Sequence, residues 1–309
     1  MNALLDAIAT MALPHDAQRV FHGRGGRFPG CEHLALDAYP PVLLLTSFEP
    51  LADEGLAAIG AALAARWSQI ATEGEPLNWV YQCRQEGGRT ETRLMAGAVP
   101  DPHIVIEAGT RYLVHLLRGQ NHGLFLDMAE GRRWVREHVA PGAKVLNLFA
   151  YTCAFSVVAL QAGAAEVVNV DMSDGALAIG RRNHALNGVA AGAKFLPHDI
   201  FNSWGKLTRG GPYDLVICDP PSFQKGSFVA TKDYARLARR LPSLLAPGGV
   251  ALLCLNTPKL GLDFLQGVVA ENAPGLSFVE RVANPAAFED VSEDKGLKVA
   301  MYLANFGVQ

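Results

Sequence analysis

The 309-residue sequence has no long apolar stretch, no paired cysteines and no strong charge of either sign. Apolar runs such as Val42-Leu43-Leu44-Leu45 are far too short for a membrane-spanning helix, which needs about 20 such residues, so no membrane partner is expected. The N-terminus lacks the basic-then-apolar layout of a secretory leader, because residues 1–11 read as a mildly apolar helix carrying Asp6. The five cysteines stand singly. Without a C-x-x-C pair, neither a disulfide framework nor a zinc site is indicated, no metal is expected, and the cytoplasm is the natural compartment. A net charge of −3 does not advertise a nucleic-acid binder, yet a local basic patch can act whatever the total. Also absent is the G-x-G-x-x-G run that brings backbone amides to a dinucleotide pyrophosphate, which disfavours a nicotinamide oxidoreductase.

What is present is a hydrophobic half, an 18% charged fraction and a length that favours two domains. Residues 1–118 read as a small α+β domain. Strands at 34–37 and 42–47 flank the turn Tyr39-Pro40-Pro41, an alanine-rich helix spans 49–72, and strands follow at 78–84, 91–99, 103–107 and 111–117. From Gly119 strands and helices alternate. Helices are expected at 129–138, 155–161, 175–187 and 234–245, and strands at 144–149, 166–171, 193–197, 213–218 and 249–255. Such alternation implies a doubly wound, mostly parallel, Rossmann-like α/β sheet within residues 119–309. No repeat is found, and no element is assigned beyond residue 255.

In a doubly wound sheet, ligands sit outside the carboxyl ends of the strands. The first such end, Asn147-Leu148-Phe149-Ala150-Tyr151-Thr152, is either an ordinary turn or a loop offering polar groups to a cofactor without a pyrophosphate. The second ends in Asp171, placed to accept a ribose diol or to cap the helix beginning near Ser173-Asp174. After the third, Asp199 can accept an exocyclic amine while Ile200 and Phe201 offer apolar contact. The fourth, Asp219-Pro220-Pro221-Ser222-Phe223, is the sharpest: two prolines stiffen the backbone that presents an acid and an aromatic. Such a pair suits an extruded base, hydrogen-bonded at its edge and stacked on its face. The cations that follow, Lys225, Lys232, Arg236, Arg239 and Arg240, are either phosphate contacts or a solvated helix face. Near the N-terminus, the run from Arg19 through Phe21, His22, Arg24 and Arg27 to Phe28 fits RNA contact or a glycine loop equally.

Several stretches resemble the bacterial large-subunit (23S) ribosomal RNA methyltransferase family, whose members are class I S-adenosylmethionine-dependent enzymes. They are Asn121-His122-Gly123-Leu124-Phe125-Leu126-Asp127, the Asn147 to Thr152 loop, Asp171-Met172-Ser173, Arg182-Asn183-His184-Ala185-Leu186-Asn187-Gly188, and the D-P-P-S-F motif. The likeness is close from about residue 119 to residue 256. It implies a methyltransferase whose cofactor is S-adenosylmethionine and whose substrate partner is RNA, with substrate recognition expected in the first third. As cofactor-binding residues it implies Phe125, Asp127, Asn147, Phe149, Tyr151, Thr152, Asp171, Met172, Ser173, Asn187, Asp199, Ile200 and Asp219. As catalytic residues it implies Asp219, Pro220 and Phe223, and Asn256, after the strand that follows the Gly-Gly turn, is expected to join Asp219 in orienting the acceptor.

Two departures from the family pattern matter. Cys153 stands where the family loop has glycine, a change that costs on the order of 1 kcal/mol if the position needs positive φ. Methylation at cytosine carbon-5 requires a cysteine thiolate that adds to the ring, and the family's carbon-5 members carry it just after the strand that follows the Gly-Gly turn. Here, after Pro247-Gly248-Gly249, that position is Asn256; Cys254 lies two residues earlier on the same strand face and reads as core. A guanine ring nitrogen, methylated by alignment alone, is therefore favoured over cytosine carbon-5. A protein or small-molecule acceptor, or a non-catalytic cofactor-binding role, remains an alternative, and the oligomeric state is open.

Overall fold

The computed structural model describes residues 1–221, 223–224 and 228–306. The chain forms two compact units, one of residues 1–127 with 285–291 and the other of residues 128–284 with 292–309.

The first unit opens with α1 (Asn2–Thr10) and builds a five-stranded sheet in the order β1 (Gln18–His22), β2 (Leu34–Tyr39), β3 (Val42–Ser47), β4 (Asn78–Arg84), β5 (Thr90–Ala96). Neighbours are antiparallel except β3 and β4, between which α2 (Asp53–Ile70) makes the crossover. Leu56, Ile59, Leu63 and Trp67 recur at helical spacing and are buried against Leu36, Leu45 and Tyr81 of the sheet. A hairpin of β6 (His103–Glu107) and β7 (Thr110–Val114) follows.

The arginine-rich run near the N-terminus divides into a strand and a glycine-containing loop. It is β1 followed by a tight turn at Gly23–Gly25, and its arginines have partners inside the unit. Arg19 pairs with Asp37 at 2.5 Å, Arg24 lies 3.6 Å over the Phe48 ring, and Arg27 pairs with Glu289.

Two histidines in this unit are held neutral. Arg19 donates to His22 Nδ1 at 2.6 Å, and Arg84 to His122 Nε2 at 3.1 Å, so each ring accepts. Burial, with the adjacent arginines, pushes both down to about 4; Asp290, 3.8 Å from His22 Nε2, is too distant to offset this. The unfolded chain protonates such rings near pH 6.5 and the folded chain only near 4. Their stabilisation is thus complete above pH 6.5 and is lost as pH falls toward 4. The urea midpoint should drop across that window, and more shallowly in His122→Gln. Parallel pH profiles for the two proteins would contradict this assignment.

The second unit runs α3 (Ala129–His138), β8 (Lys144–Leu148), α4 (Ala154–Gln161), β9 (Glu166–Asp171), α5 (Asp174–Leu186), β10 (Ala193–Pro197), α6 (Trp204–Gly210) and β11 (Tyr213–Cys218). A small ladder of β12 (Phe223–Gln224) and β13 (Phe228–Val229) leads to α7 (Ala230–Ala238) and α8 (Leu241–Leu244). The chain then continues through β14 (Leu245–Leu255), α9 (Leu262–Asn272), β15 (Leu276–Val282) and β16 (Lys298–Ala304). The seven strands order as β10-β9-β8-β11-β14-β16-β15. The first five are parallel and β16 inserts antiparallel. Chain order reverses between β8 and β11, which is the switch point where such sheets bind ligands.

Each face of the sheet carries its own core. Leu146, Val170, Val216 and Leu253 pack with Leu207, Tyr234, Leu237 and Leu265 on one face. Val145, Val167 and Ile217 pack with Trp134, Val135 and Val158 on the other. Beneath α4 and α5 lies a buried polar chain that runs in one direction. Asn147 donates to Asn169 (2.9 Å), Asn169 to Ser156 (2.9 Å), Ser156 to His184 Nε2 (2.8 Å), and His184 Nδ1 to the Gly180 carbonyl (2.7 Å). Burial holds His184 neutral, which this donor order requires.

Several expected elements shift in their bounds, among them the helix expected over 49–72, which runs Asp53–Ile70, and for two the cause is visible. The helix expected over 234–245 starts earlier, because the Asp233 side chain accepts the Val229 amide at 2.8 Å, and it breaks before Pro242, whose ring lacks a donor. The strand expected from 249 begins at Leu245, with the Pro-Gly-Gly segment absorbed as a register shift between Tyr213 and Leu215 on the paired strand. Among the described residues no helix is long and apolar enough to cross a membrane. No group of three or more His, Cys, Asp or Glu among them is placed to hold a metal ion.

Candidate active site

Because β8, β9, β10 and β11 are parallel, their carboxyl ends share one edge of the second unit. Leu148 pairs with both Val170 and Cys218, and Asp171 with Pro197, so Phe149, Asp171, His198 and Asp219 emerge at nearly one level. The Asp219 amide donates back to the Leu148 carbonyl at 3.4 Å.

The loop after β8 has an unusual backbone. Phe149, Tyr151 and Cys153 all have positive φ (58°, 48° and 63°) without being glycine. Each such residue is strained by roughly 1 kcal/mol, and strain of this kind persists only where surrounding contacts over-determine it. Those contacts are visible. The Tyr151 amide donates to Asp171 Oδ2 at 2.8 Å, the Ala150 amide to the Val170 carbonyl at 3.1 Å, and Asn183 on α5 to the Thr152 carbonyl at 3.0 Å. The other Asp171 oxygen accepts the Ser173 amide at 2.8 Å. The cap of α5 is Ser173, which accepts the Ala176 amide at 3.1 Å. Asp171 is thus not the helix cap: its carboxylate is fixed by a backbone donor on each oxygen, and each oxygen keeps a lone pair for a further donor.

The third strand end places Asp199 at the start of a short turn, accepting the Phe201 amide at 2.9 Å and Asn202 Nδ2 at 2.6 Å, next to buried Ile200. Met172 is 57% exposed beyond Asp171. Phe149 packs edge-on to buried Phe228 at 5.4 Å. Pro220 is buried behind Asp219, while Asn256 is exposed directly after β14. The Phe223 side chain, Ser222 and Lys225 lie outside the described residues.

Within the second unit, Asn147 and Asn187 are placed elsewhere than at this edge. Asn147 is 1% exposed and its amide is committed to the polar chain under α4, which leaves it no surface for a ligand. Asn187 follows the last turn of α5, about 20 Å along a 13-residue helix from Ser173, where it donates to the Asn183 carbonyl. Phe125 and Asp127 belong to the first unit, at its last residues.

Two residues at the edge carried no sequence signal. Lys298 is fully buried on β16 and donates to the carbonyls of Thr257 (2.5 Å) and Asp294 (2.9 Å), which ties down the loop after Asn256. Buried Tyr234 donates its hydroxyl to the Cys254 carbonyl on the strand leading to that loop. A lysine in an apolar strand reads as an edge residue until its carbonyl partners are seen.

Cys153 is fully buried and burial pushes its thiol up, so it is a filler rather than a nucleophile. Its packing partner is Gly180 on α5, where an added Cβ would lie 2.5 Å from Sγ. Gly180→Ala should therefore destabilise the protein by about 1–3 kcal/mol. Adding Cys153→Gly, which removes both the clashing sulfur and the αL penalty, should restore most of that in urea unfolding. A double variant no more stable than the single one would refute this pairing.

The donor set fits S-adenosylmethionine better than a dinucleotide. The loop after β8 offers strained backbone and hydroxyl groups rather than a glycine-rich phosphate cradle, and the carboxylates of Asp171 and Asp199, fixed by protein donors, can accept hydroxyl or amine donors rather than bind phosphate. The profile of the S-adenosylmethionine-dependent methyltransferase family matches residues 18–303. The chain belongs to that family. Among curated proteins, ribosomal RNA large subunit methyltransferase I of Aeromonas hydrophila is 34% identical over 197 residues, 62% of this chain and 49% of that one. A ribosomal RNA large subunit methyltransferase of Deinococcus radiodurans is 33% identical over 242 residues, 76% of this chain and 58% of that one. The chain thus spans about half the length of these relatives. Among solved structures, SMU.776 complexed with SAH superposes with a TM-score of 0.81 at 23% identity, covering 98% of this chain and 81% of that one. The SAM-dependent methyltransferase from Agrobacterium tumefaciens gives 0.66 at 18%, covering 94% and 90%. At these identities the structural likeness concerns the fold.

Proposed function

We propose that the protein methylates a base of ribosomal RNA, using S-adenosylmethionine laid across the carboxyl ends of β8, β9, β10 and β11. The observation that carries this reading is the Asp171 carboxylate, fixed by the Tyr151 and Ser173 amides with its remaining lone pairs available. Those lone pairs suit a ribose diol. Phe149, Tyr151 and Thr152 would line the amino-acid end. Met172 and Ile200 would cover the two sides of the adenine, and Asp199 would accept its amine. Ser173 contributes by capping α5 and holding Asp171, not by direct contact.

The bound cofactor supplies a methyl group made electrophilic by the sulfonium. The chain's own task is to bring an acceptor atom into line with it and to keep water out, an effect of proximity and orientation. Asp219, with Pro220 locking its backbone, and exposed Asn256 stand where they can hold the edge of a base, and Phe223 is proposed to pack on its face. A guanine ring nitrogen has a free lone pair, so the new N–C bond forms as the C–S bond breaks, and no proton has to leave first. Carbon-5 of cytosine needs a thiolate. All five cysteines are buried, with Cys254 at 0% exposure among Val282, Leu297 and Val299, which favours the guanine nitrogen. Support for ribosomal RNA as the substrate comes from the names of the curated relatives.

The test is transfer of radiolabelled methyl from S-adenosylmethionine to ribosomal RNA, followed by nucleoside analysis. Labelled 7-methylguanosine is expected, and Asp219→Ala should lower turnover by at least about 100-fold, the scale of a misplaced acceptor, while retaining cofactor binding. Labelled 5-methylcytidine would overturn the choice of base, and full activity in Asp219→Ala would remove that residue's role.

A further inference from the structure

Beside the third strand end, four exposed cations gather around two aromatic rings. Arg236 of α7 lies 4.3 Å over the Phe201 ring, and Arg240, just after α7, lies 5.9 Å over Trp204. Phe201 and Trp204 themselves meet edge to face at 5.8 Å. Lys206 and Arg209, on the following α6, line a shallow depression with His198, Asp199 and Ser203. Within it Lys206 Nζ contacts His198 Nε2 at 2.9 Å.

The cations outnumber their local acids. Arg236 pairs with Asp233 at 2.9 Å, but Lys206, Arg209 and Arg240 have no carboxylate partner among the described residues. Asp199 is the other acid here, so four cations face two carboxylates. This local positive excess sits in a chain whose net charge is −3, so it is a feature of the face and not of the composition. Stacking also changes what an arginine can do. A guanidinium laid on a ring loses little further freedom on binding; Arg236 uses one Nη on Asp233, and the remaining N–H groups of its planar fork, like those of Arg240, have the geometry suited to phosphate.

We infer that this face, Lys206, Arg209, Arg236 and Arg240 around Phe201 and Trp204, grips the phosphate backbone of the substrate RNA beside the acceptor base. The inference rests on RNA being the substrate and names the surface that holds it. Its position explains its use. The depression contains Asp199, one residue before Ile200 at the cofactor edge, so a strand following the face would arrive at the strand ends.

The experiment measures binding of a ribosomal RNA fragment by filter retention across a salt series, for the wild type, Arg236→Gln/Arg240→Gln, Lys206→Gln/Arg209→Gln and a control, Arg133→Gln. The control arginine lies on α3 and pairs with Glu130. Each double variant should bind at least about tenfold more weakly, and its log–log salt slope should shrink by roughly 0.7 for each phosphate no longer neutralised. The control should match the wild type, and calorimetry should show Arg236→Gln/Arg240→Gln still binding S-adenosylmethionine. If the wild type methylates RNA while both double variants bind it with unchanged affinity and slope, this face is not the grip, although the methyltransferase reading stands. If the wild type neither binds nor methylates RNA, that reading fails and the inference with it.

Discussion

The Asp171 carboxylate is the constraint on which the candidate site depends. One oxygen holds the Tyr151 amide and the other the Ser173 amide. It thereby links the loop after β8 to the start of α5 and tolerates the positive φ angles of Phe149, Tyr151 and Cys153. A charged acceptor of backbone amides makes a hydrogen bond stronger than a neutral one, enough to offset strain of about 1 kcal/mol per αL residue. The strained loop is then part of a rigid edge and not a mobile turn.

Behind that edge the second unit uses two kinds of interior. The face under α6, α7 and α9 is apolar, and its aromatic layer of Phe149, Phe228 and Tyr234 approaches the strand ends. The face under α4 and α5 carries the directed chain from Asn147 to the Gly180 carbonyl. Such a buried polar chain specifies register, because a slip of either helix would strand several polar groups. It also fixes α5, whose Gly180 receives Cys153 and whose Asn183 holds Thr152. The loop is thus braced from two sides.

Much of the second unit was legible in the sequence, because parallel strands buried on both faces read as continuous apolar runs closed by acids. Asp171, Asp199 and Asp219 stand where those runs end. What was illegible depended on long-range partners. Asn147 and Asn187 sit in stretches that resemble a cofactor motif, but their side chains face neighbouring elements that no local pattern reveals. Lys298 and the antiparallel insertion of β16 escaped for the same reason. In the first unit, the N-terminal run fitted RNA contact or a glycine loop equally, because the partners of its arginines, Asp37, Phe48 and Glu289, are up to 262 residues away.

The most direct measurement is a calorimetric titration of S-adenosylmethionine into the wild type and into Asp171→Asn, which keeps the side chain's shape and removes its charge. Saturable binding to the wild type and an affinity lower by about 10- to 100-fold in the variant are expected, the scale of hydrogen bonds lost from a charged acceptor. Equal affinities in the two proteins would mean that cofactor binding needs neither the charge nor the second acceptor oxygen of Asp171, contradicting the placement on which the proposed chemistry rests.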